Sequence, residues 1–305
     1  SVCVTRLKQA INDSKSLIEN SIDDLIAGEY EINRSEILSE MNESAARFIS
    51  VQGVAGSGKS ALCKKFLKDK DLVLFARAER FIEASSLDSI WNLNLQDVFR
   101  YTANKRIYIY IDALEFIADA PKSKQDLLFQ LYNNAVNYEH VYIITSCRSS
   151  DKNAFLKIES HFSIKNIGLT VLENNEINAV ASKYPVIMGV KANPVYGQIL
   201  NNLFYLNLIV SRIDDKTEIE NINSFRSYIW TEIICLGRNN AYPQIKPTEI
   251  RQIIEYIVLE RAKRFSSGVL VDELDSRIVS ILESNGVIVR NSNKIRLKYD
   301  IFEDI

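Results

Sequence analysis

The chain has 305 residues, 47% hydrophobic and 25% charged, long enough to bury roughly three quarters of its unfolded surface without a disulfide or metal staple and to form about two domains. Its formal charge of -2 excludes a bulk pull towards nucleic acid or acidic lipid, and its two histidines, His140 and His161, exclude most metal and triad chemistries. Cys3, Cys63, Cys147 and Cys235 form no C-x-x-C pair, and no apolar run nears the ~18 residues of a membrane span, so reduced thiols, a cytoplasmic location and no membrane are expected.

The first segment, "VTRLKQAINDSKSLIENSIDDLI", spaces Val4, Leu7, Ile11, Ile18, Ile22 and Leu25 at helical intervals. Residues 1–30 read as an amphipathic helix packed on the main domain, or as a linker to a domain upstream. "AARFISVQG" reads as a short buried strand that stops at a glycine-rich turn. A helix over about 58–69, a strand "DLVLFARA" and a polar helical region to about Asn104 follow. Then come strand "RIYIYIDAL", helix "PKSKQDLLFQLYNNAV" with Pro121 suited to its first turn, strand "HVYIITS" and a last strand near "KNIGLT". Strands alternating with helices, each strand a nearly continuous apolar run, predict an α/β domain over 31–172 with a parallel sheet covered on both faces.

Beyond it, "ENNEINAVASKYP" and "NPVYGQILNNLFYLNLIVSRI" read as helices of a small lid, 173–222. From about 223 the chain reads as helical until "VIVRNSNKIRLKYD". That piece is a predicted hairpin turning at Asn291, Ser292 and Asn293, with Ile295 and Leu297 alternating with Lys294, Arg296 and Lys298. Helices followed by one hairpin suggest a winged-helix domain, 223–305.

Gly53-Val-Ala-Gly-Ser-Gly-Lys-Ser60 fits G-x-x-x-x-G-K-[ST] between a predicted strand and a predicted helix, the context this phosphate-binding pattern requires. Gly53, Gly56 and Gly58 let the backbone curl so that N–H groups point inward at phosphates. The helix beginning near Lys59 adds its positive dipole end, so Ser57 and Ala61 join the candidate binding set. Lys59 is placed to reach the β- and γ-phosphates, and the Ser60 hydroxyl to ligate Mg2+.

"IYIYIDALEF" puts Asp112 at the C-terminal end of an apolar strand, where a Walker-B carboxylate holds the magnesium water shell. An aspartate that merely ends a strand is the alternative. Glu115 is either a base polarising an attacking water or a carboxylate standing behind the metal. "YIITSCRSSD" ends the next strand with Thr145 and Ser146, polar groups in reach of a γ-phosphate or a lytic water. Arg148 follows on the loop, aimed at the same sheet edge as Lys59 and Asp112, and is the candidate γ-phosphate sensor, because ligands of open α/β sheets sit at the carboxyl ends of strands. In the predicted hairpin, Arg290, Lys294, Arg296 and Lys298 form a local basic stripe, either a solvated face or a nucleic-acid contact.

With these residues in place, the chain resembles the STAND-class P-loop NTPases, the NACHT and NB-ARC-like ATPases of innate immunity and bacterial antiviral defence, from about residue 28 to the end. "EINRSEIL" looks like the family's h-h-G-R-x-E linker, with Asn33 in the glycine slot. "IDALE" is similar to its extended Walker B, "TSCR" to its T-T-R or T-S-R sensor, and "LKYDIFEDI" to its Met-His-Asp motif. The resemblance implies a P-loop NTPase of the ASCE/AAA+-like kind, a parallel sheet with helices on both faces followed by a helical lid and a winged helix. It implies ATP or ADP with Mg2+ as ligands and Arg34 beside the base and ribose. It further implies a slow ATPase acting as a switch that self-associates on binding ATP. An upstream effector and a downstream sensor of repeats are implied partners lying outside this chain.

Three departures bear on that picture. Tyr299 fills the slot where the family's histidine touches the β-phosphate of ADP, and a phenol donates one hydrogen bond without becoming cationic near neutral pH. Leu203 stands where a proline would pack on the adenine. The second acidic slot of the Walker B holds Glu115, with Phe116 after it. Each leaves nucleotide holding in place and weighs against fast hydrolysis. Three other readings compete: an AAA+-like ATPase that loads on DNA through the basic hairpin, a small-molecule or nucleoside kinase, and an interaction scaffold with a dead P-loop, against which Lys59 and Asp112 stand intact. Residues 173–215 contain Arg212 as their one arginine, which does not suit a kinase lid.

Overall fold

Four largely apolar runs, β1 (Phe48–Gly53), β2 (Leu72–Arg77), β3 (Ile107–Asp112) and β4 (Val141–Arg148), and a mixed polar and apolar edge strand, β5 (Ile164–Leu169), build the sheet. In the computed structural model they pair in the order β2-β3-β4-β1-β5, every pairing parallel. Residues 2–118, 120–151, 155–191, 197–212, 223, 227–236, 245–264, 268–291 and 293–298 are described. The chain divides into two units, Ser1–Val171 and Leu172–Ile305. All of β1 and all of β3 is buried, because helices cover both faces of the sheet and neither face of a strand meets water. Ile107, Ile109 and Ile111 enter one core layer while Tyr108 and Tyr110 enter the other, the alternation that a pleat imposes.

Helices α1 (Val2–Ser21) and α2 (Ser35–Glu43) precede β1, and α3 (Lys59–Leu67) follows it. The polar region expected to about Asn104 is three short helices, α4 (Glu79–Glu83), α5 (Leu87–Trp91) and α6 (Leu95–Tyr101). It is broken there because Ser86 and Asn94 cap fresh starts, each accepting a backbone N–H three residues on. Next come α7 (Glu115–Ala118), α8 (Lys122–Ala135) and α9 (Leu156–His161). Pro121 sits at the N-cap of α8, one position earlier than expected.

The first helix closes the edge of β2. Leu7 and Ile11 join one core layer and Ile18 and Ile22 the other, and Ser14 Oγ accepts the Phe75 N–H at 2.9 Å. A bare edge strand invites pairing with other chains, and this helix removes the invitation. The helix ends at Ser21, so Ile22 and Leu25 lie beyond it, and Leu25 is exposed. Lys64 of α3 fastens the segment that follows. Its buried ammonium donates to the Ile22 carbonyl and to Asp24, both at 2.9 Å, and lies 3.0 Å from Glu19. Burial alone would lower its pKa, but the bonds to Asp24 and Glu19 outweigh burial and raise it.

The second unit contains α10 (Asn174–Lys183), α11 (Val186–Lys191), α12 (Gly197–Leu200) and α13 (Leu203–Arg212). A π-helix, Ile229–Leu236, and two α-helices, Pro247–Arg264 and Ser276–Ser284, come after them. Strands β6 (Val269–Leu270), β7 (Ile288–Asn291) and β8 (Lys294–Leu297) form an antiparallel sheet in the order β6-β8-β7. The hairpin was expected, and β6 was not. Asn291 pairs with Lys294 and so belongs to the strand rather than to the turn. Arg290 lies opposite buried Ile295, on the other face from Lys294 and Arg296. Its guanidinium donates to Glu283 at 2.9 and 3.1 Å, so it is no part of the basic stripe. No helix among the described residues is long and apolar enough to cross a membrane.

Candidate nucleotide-binding site

Strand β1 ends on Gly53, and the chain curls through residues 54–58 into α3. Gly56 and Gly58 have φ of +73° and +91°, backbone that a residue with a Cβ adopts only under strain. At Gly53 the constraint is space, since a Cβ there would lie 2.7 Å from Ser57 Oγ and 2.8 Å from the Leu169 carbonyl. No side chain caps the first turn of α3, so the N–H groups around Lys59, Ser60 and Ala61 and the helix dipole present an anion site. The buried Ser57 Oγ has no hydrogen-bond partner among the described residues. An orphaned hydroxyl inside such a loop fits a phosphate oxygen.

Lys59 Nζ donates to the carbonyls of Gly53 and Val54, at 3.0 and 2.8 Å. Burial lowers its pKa, Glu115 and Asp112 oppose the fall, and Arg148 adds to it. Next to it, Ser60 Oγ donates to Asp112 Oδ1 at 2.7 Å. A hydroxyl and a carboxylate in contact are the oxygen donors magnesium takes, with phosphates and water completing its shell. Among the described residues no group of three or more His, Cys, Asp or Glu is gathered to hold a metal.

Asp112 does more than end a strand. It is 2% exposed, and its Oδ1 also accepts Tyr110 OH at 2.7 Å and Ser146 Oγ at 2.5 Å. Arg77 Nη1 lies 3.4 Å from Oδ2 and Arg77 Nε 3.3 Å from Glu79, a carboxylate that is itself buried. Sequence reasoning missed Tyr110, Arg77 and Glu79. A tyrosine in an apolar strand reads as core, although two-residue spacing from Asp112 puts both on one face of β3. Arg77 reaches Asp112 because the two are register partners on neighbouring strands, which only the fold shows.

Strand β4 runs on past Ser146 to Arg148, because Cys147 and Arg148 still pair with Gln52 and Gly53 of β1, so Arg148 stands on the strand and not on a loop. Of the two polar residues before it, Ser146 serves Asp112. Thr145 does not: it is fully buried and donates to the Ile49 carbonyl at 3.4 Å. Ser146 also holds the turn after Asp112. Ala113 has φ +60°, and its N–H donates to Ser146 Oγ at 2.9 Å while the Leu114 N–H donates to the Ser146 carbonyl at 2.9 Å. That turn delivers Glu115 to Arg148, with Oε1 3.3 Å from Nε. Arg148 is the register partner of Gly53, and the Ser149 N–H donates to the Gly53 carbonyl at 3.2 Å. Lys59, Asp112, Glu115 and Arg148 thus meet at the carboxyl end of the sheet.

Arg34 stands at the N-cap position of α2, in a segment tied to α3 by Lys64 and by a Lys65–Glu31 ion pair. Leu203 opens α13 in the second unit. Tyr299 lies outside the described residues.

No protein-family model and no curated protein matches the chain. Solved structures do. A signal transduction ATPase with numerous domains (STAND) carrying a tetratricopeptide-repeat sensor, from Pyrococcus horikoshii, is similar with a TM-score of 0.53 and 14% identity, over 93% of this chain and 43% of that one. A Walker-type ATPase of Pyrococcus abyssi is similar with a TM-score of 0.52 and 12% identity, over 93% of this chain and 97% of that one. The chain therefore spans less than half the length of the STAND protein it matches. At such identities the likeness is one of fold alone, a P-loop NTPase fold shared with these two ATPases.

Proposed function

We propose that this chain is the ATP- and ADP-binding core of a STAND-type signalling switch, holding its nucleotide and cleaving it slowly. The observation that carries the reading is the Ser60–Asp112 hydrogen bond lying beside a glycine loop with an orphaned Ser57 hydroxyl. Gly53, Gly56, Ser57, Gly58, Lys59, Ser60 and Ala61 cradle the phosphates, and Ser60 and Asp112 hold Mg2+. The ion supplies neutralisation of phosphate charge. Lys59 turns from the loop carbonyls to the β- and γ-phosphates, and Arg148 reads the γ-phosphate. The resemblance nominates Arg34 for the base and ribose and Tyr299 for the β-phosphate of ADP. It also supports dividing the second unit into a helical lid, 173–222, and a winged helix, 223–305.

A nucleotide drives such a switch only by binding its two states differently, and moving it from mostly one to mostly the other needs about 5.5 kcal/mol. Self-association on ATP, a defence role in the cytoplasm, and effector and sensor partners are further parts of this reading and rest on the resemblance. Steady-state hydrolysis by the purified chain tests it. Turnover far under the ~10 s⁻¹ typical of enzymes is expected; turnover at that level with no partner present contradicts it. The DNA-loading reading is the weaker one, since Arg290 is engaged by Glu283 rather than by the basic face.

A further inference from the structure

Glu115 and Arg148 form an ion pair at the rim of the glycine loop, with side chains 11% and 21% exposed and Nε 3.3 Å from Oε1. Both partners stand on fixed backbone. Arg148 is fixed opposite Gly53 by the β1–β4 register. Glu115 follows a turn fixed by two N–H bonds to Ser146. An anion paired with an arginine competes with any other anion that the arginine serves.

We propose that Glu115 sets how strongly this chain prefers ATP over ADP, by competing with the γ-phosphate for Arg148. The inference rests on the reading of Arg148 as the residue facing that phosphate. Without a γ-phosphate the guanidinium rests on Glu115. A γ-phosphate draws it away, and the free energy of parting the pair is subtracted from what the new contact contributes. ADP brings no rival anion to that position and leaves the pair closed. Glu115 is then a specificity-determining residue, and its loss strengthens ATP binding rather than weakening it. A partly exposed pair of this kind corresponds to about a two- to fivefold change in affinity.

The test is calorimetric titration of the full chain with ATP and with ADP, each with Mg2+. Wild type is compared with Glu115→Gln, Arg148→Ala, Arg148→Lys and the Glu115→Gln/Arg148→Ala double variant, each checked for an unchanged thermal unfolding curve. Glu115→Gln is expected to raise the ATP-to-ADP affinity ratio two- to fivefold. Arg148→Ala should collapse the ratio, Arg148→Lys should keep part of it, and the double variant should match Arg148→Ala. A ratio unchanged or lowered by Glu115→Gln overturns the proposal. So does a gain that persists without Arg148, because plain removal of negative charge then explains it. If wild type and Lys59→Ala alike bind neither nucleotide, the nucleotide reading itself fails, a result distinct from failure of the competition alone.

Discussion

Replacing Ser146 by alanine removes one hydroxyl that serves two partners. It donates to Asp112 Oδ1 at 2.5 Å and accepts the Ala113 N–H at 2.9 Å. Ser146 is 1% exposed, so water does not take its place. An orphaned buried N–H costs about 1–3 kcal/mol and a hydrogen bond to a charged group is worth about 1.5–3. Asp112 keeps Ser60 and Tyr110, which places the total near the lower end, about 3 kcal/mol. For a unit the size of Ser1–Val171, each kcal/mol moves the melting midpoint about 2–4 °C, so a fall of about 6–12 °C is expected. Ser50→Ala is the control, a buried serine whose hydroxyl receives a long 3.4 Å bond from Gln52, and should fall by less than half as much. Adding Ala113→Gly should recover part of the loss, since glycine relieves the positive φ by about 1–2 kcal/mol. Thermal unfolding followed by circular dichroism reads all three. A Ser146→Ala midpoint as high as that of Ser50→Ala would refute the claim that this hydroxyl organises the Asp112 turn.

Three further outcomes are expected. Gly53→Ala forces a Cβ to 2.8 Å from the Leu169 carbonyl, which is backbone and yields little; adenine-nucleotide affinity should fall at least tenfold by calorimetry, and an unchanged affinity counts against the tight cradle. Lys64→Met frees the segment after α1 from Glu19, Asp24 and the Ile22 carbonyl, so amide exchange measured by mass spectrometry should speed up over residues 2–24 while β3 stays protected. Burial raises the thiol pKa of both Cys63 and Cys147, the latter to about 12. At neutral pH both should therefore resist iodoacetamide in the native chain and react once it is denatured; rapid native labelling contradicts their burial.

The sheet was legible in sequence for a physical reason. Strands covered on both faces are written as unbroken apolar runs, so "DLVLFARA" and "RIYIYIDAL" announced β2 and β3. The glycine loop was legible because each of Gly53, Gly56 and Gly58 meets a local demand of space or φ. What stayed hidden are pairings between distant residues. Glu115 and Arg148 each read as a separate candidate, and nothing local says that they bind each other. Thr145 and Ser146 looked alike, yet the pleat sends them to opposite faces, one to Ile49 and one to Asp112. Arg290 looked like part of a basic stripe until the hairpin register put it beside Glu283. Strand β6 is two residues long and carries no period to read.

The central claim is that the glycine loop and Asp112 grip a magnesium-bound adenine nucleotide. Its most direct test is mass-spectrometric identification of whatever nucleotide is released on denaturing the freshly purified chain, beside Lys59→Ala prepared in the same way. The account predicts ADP or ATP close to one per wild-type chain and a nearly empty variant. A wild-type chain as empty as Lys59→Ala, and as indifferent to added ATP or ADP with Mg2+, would contradict it.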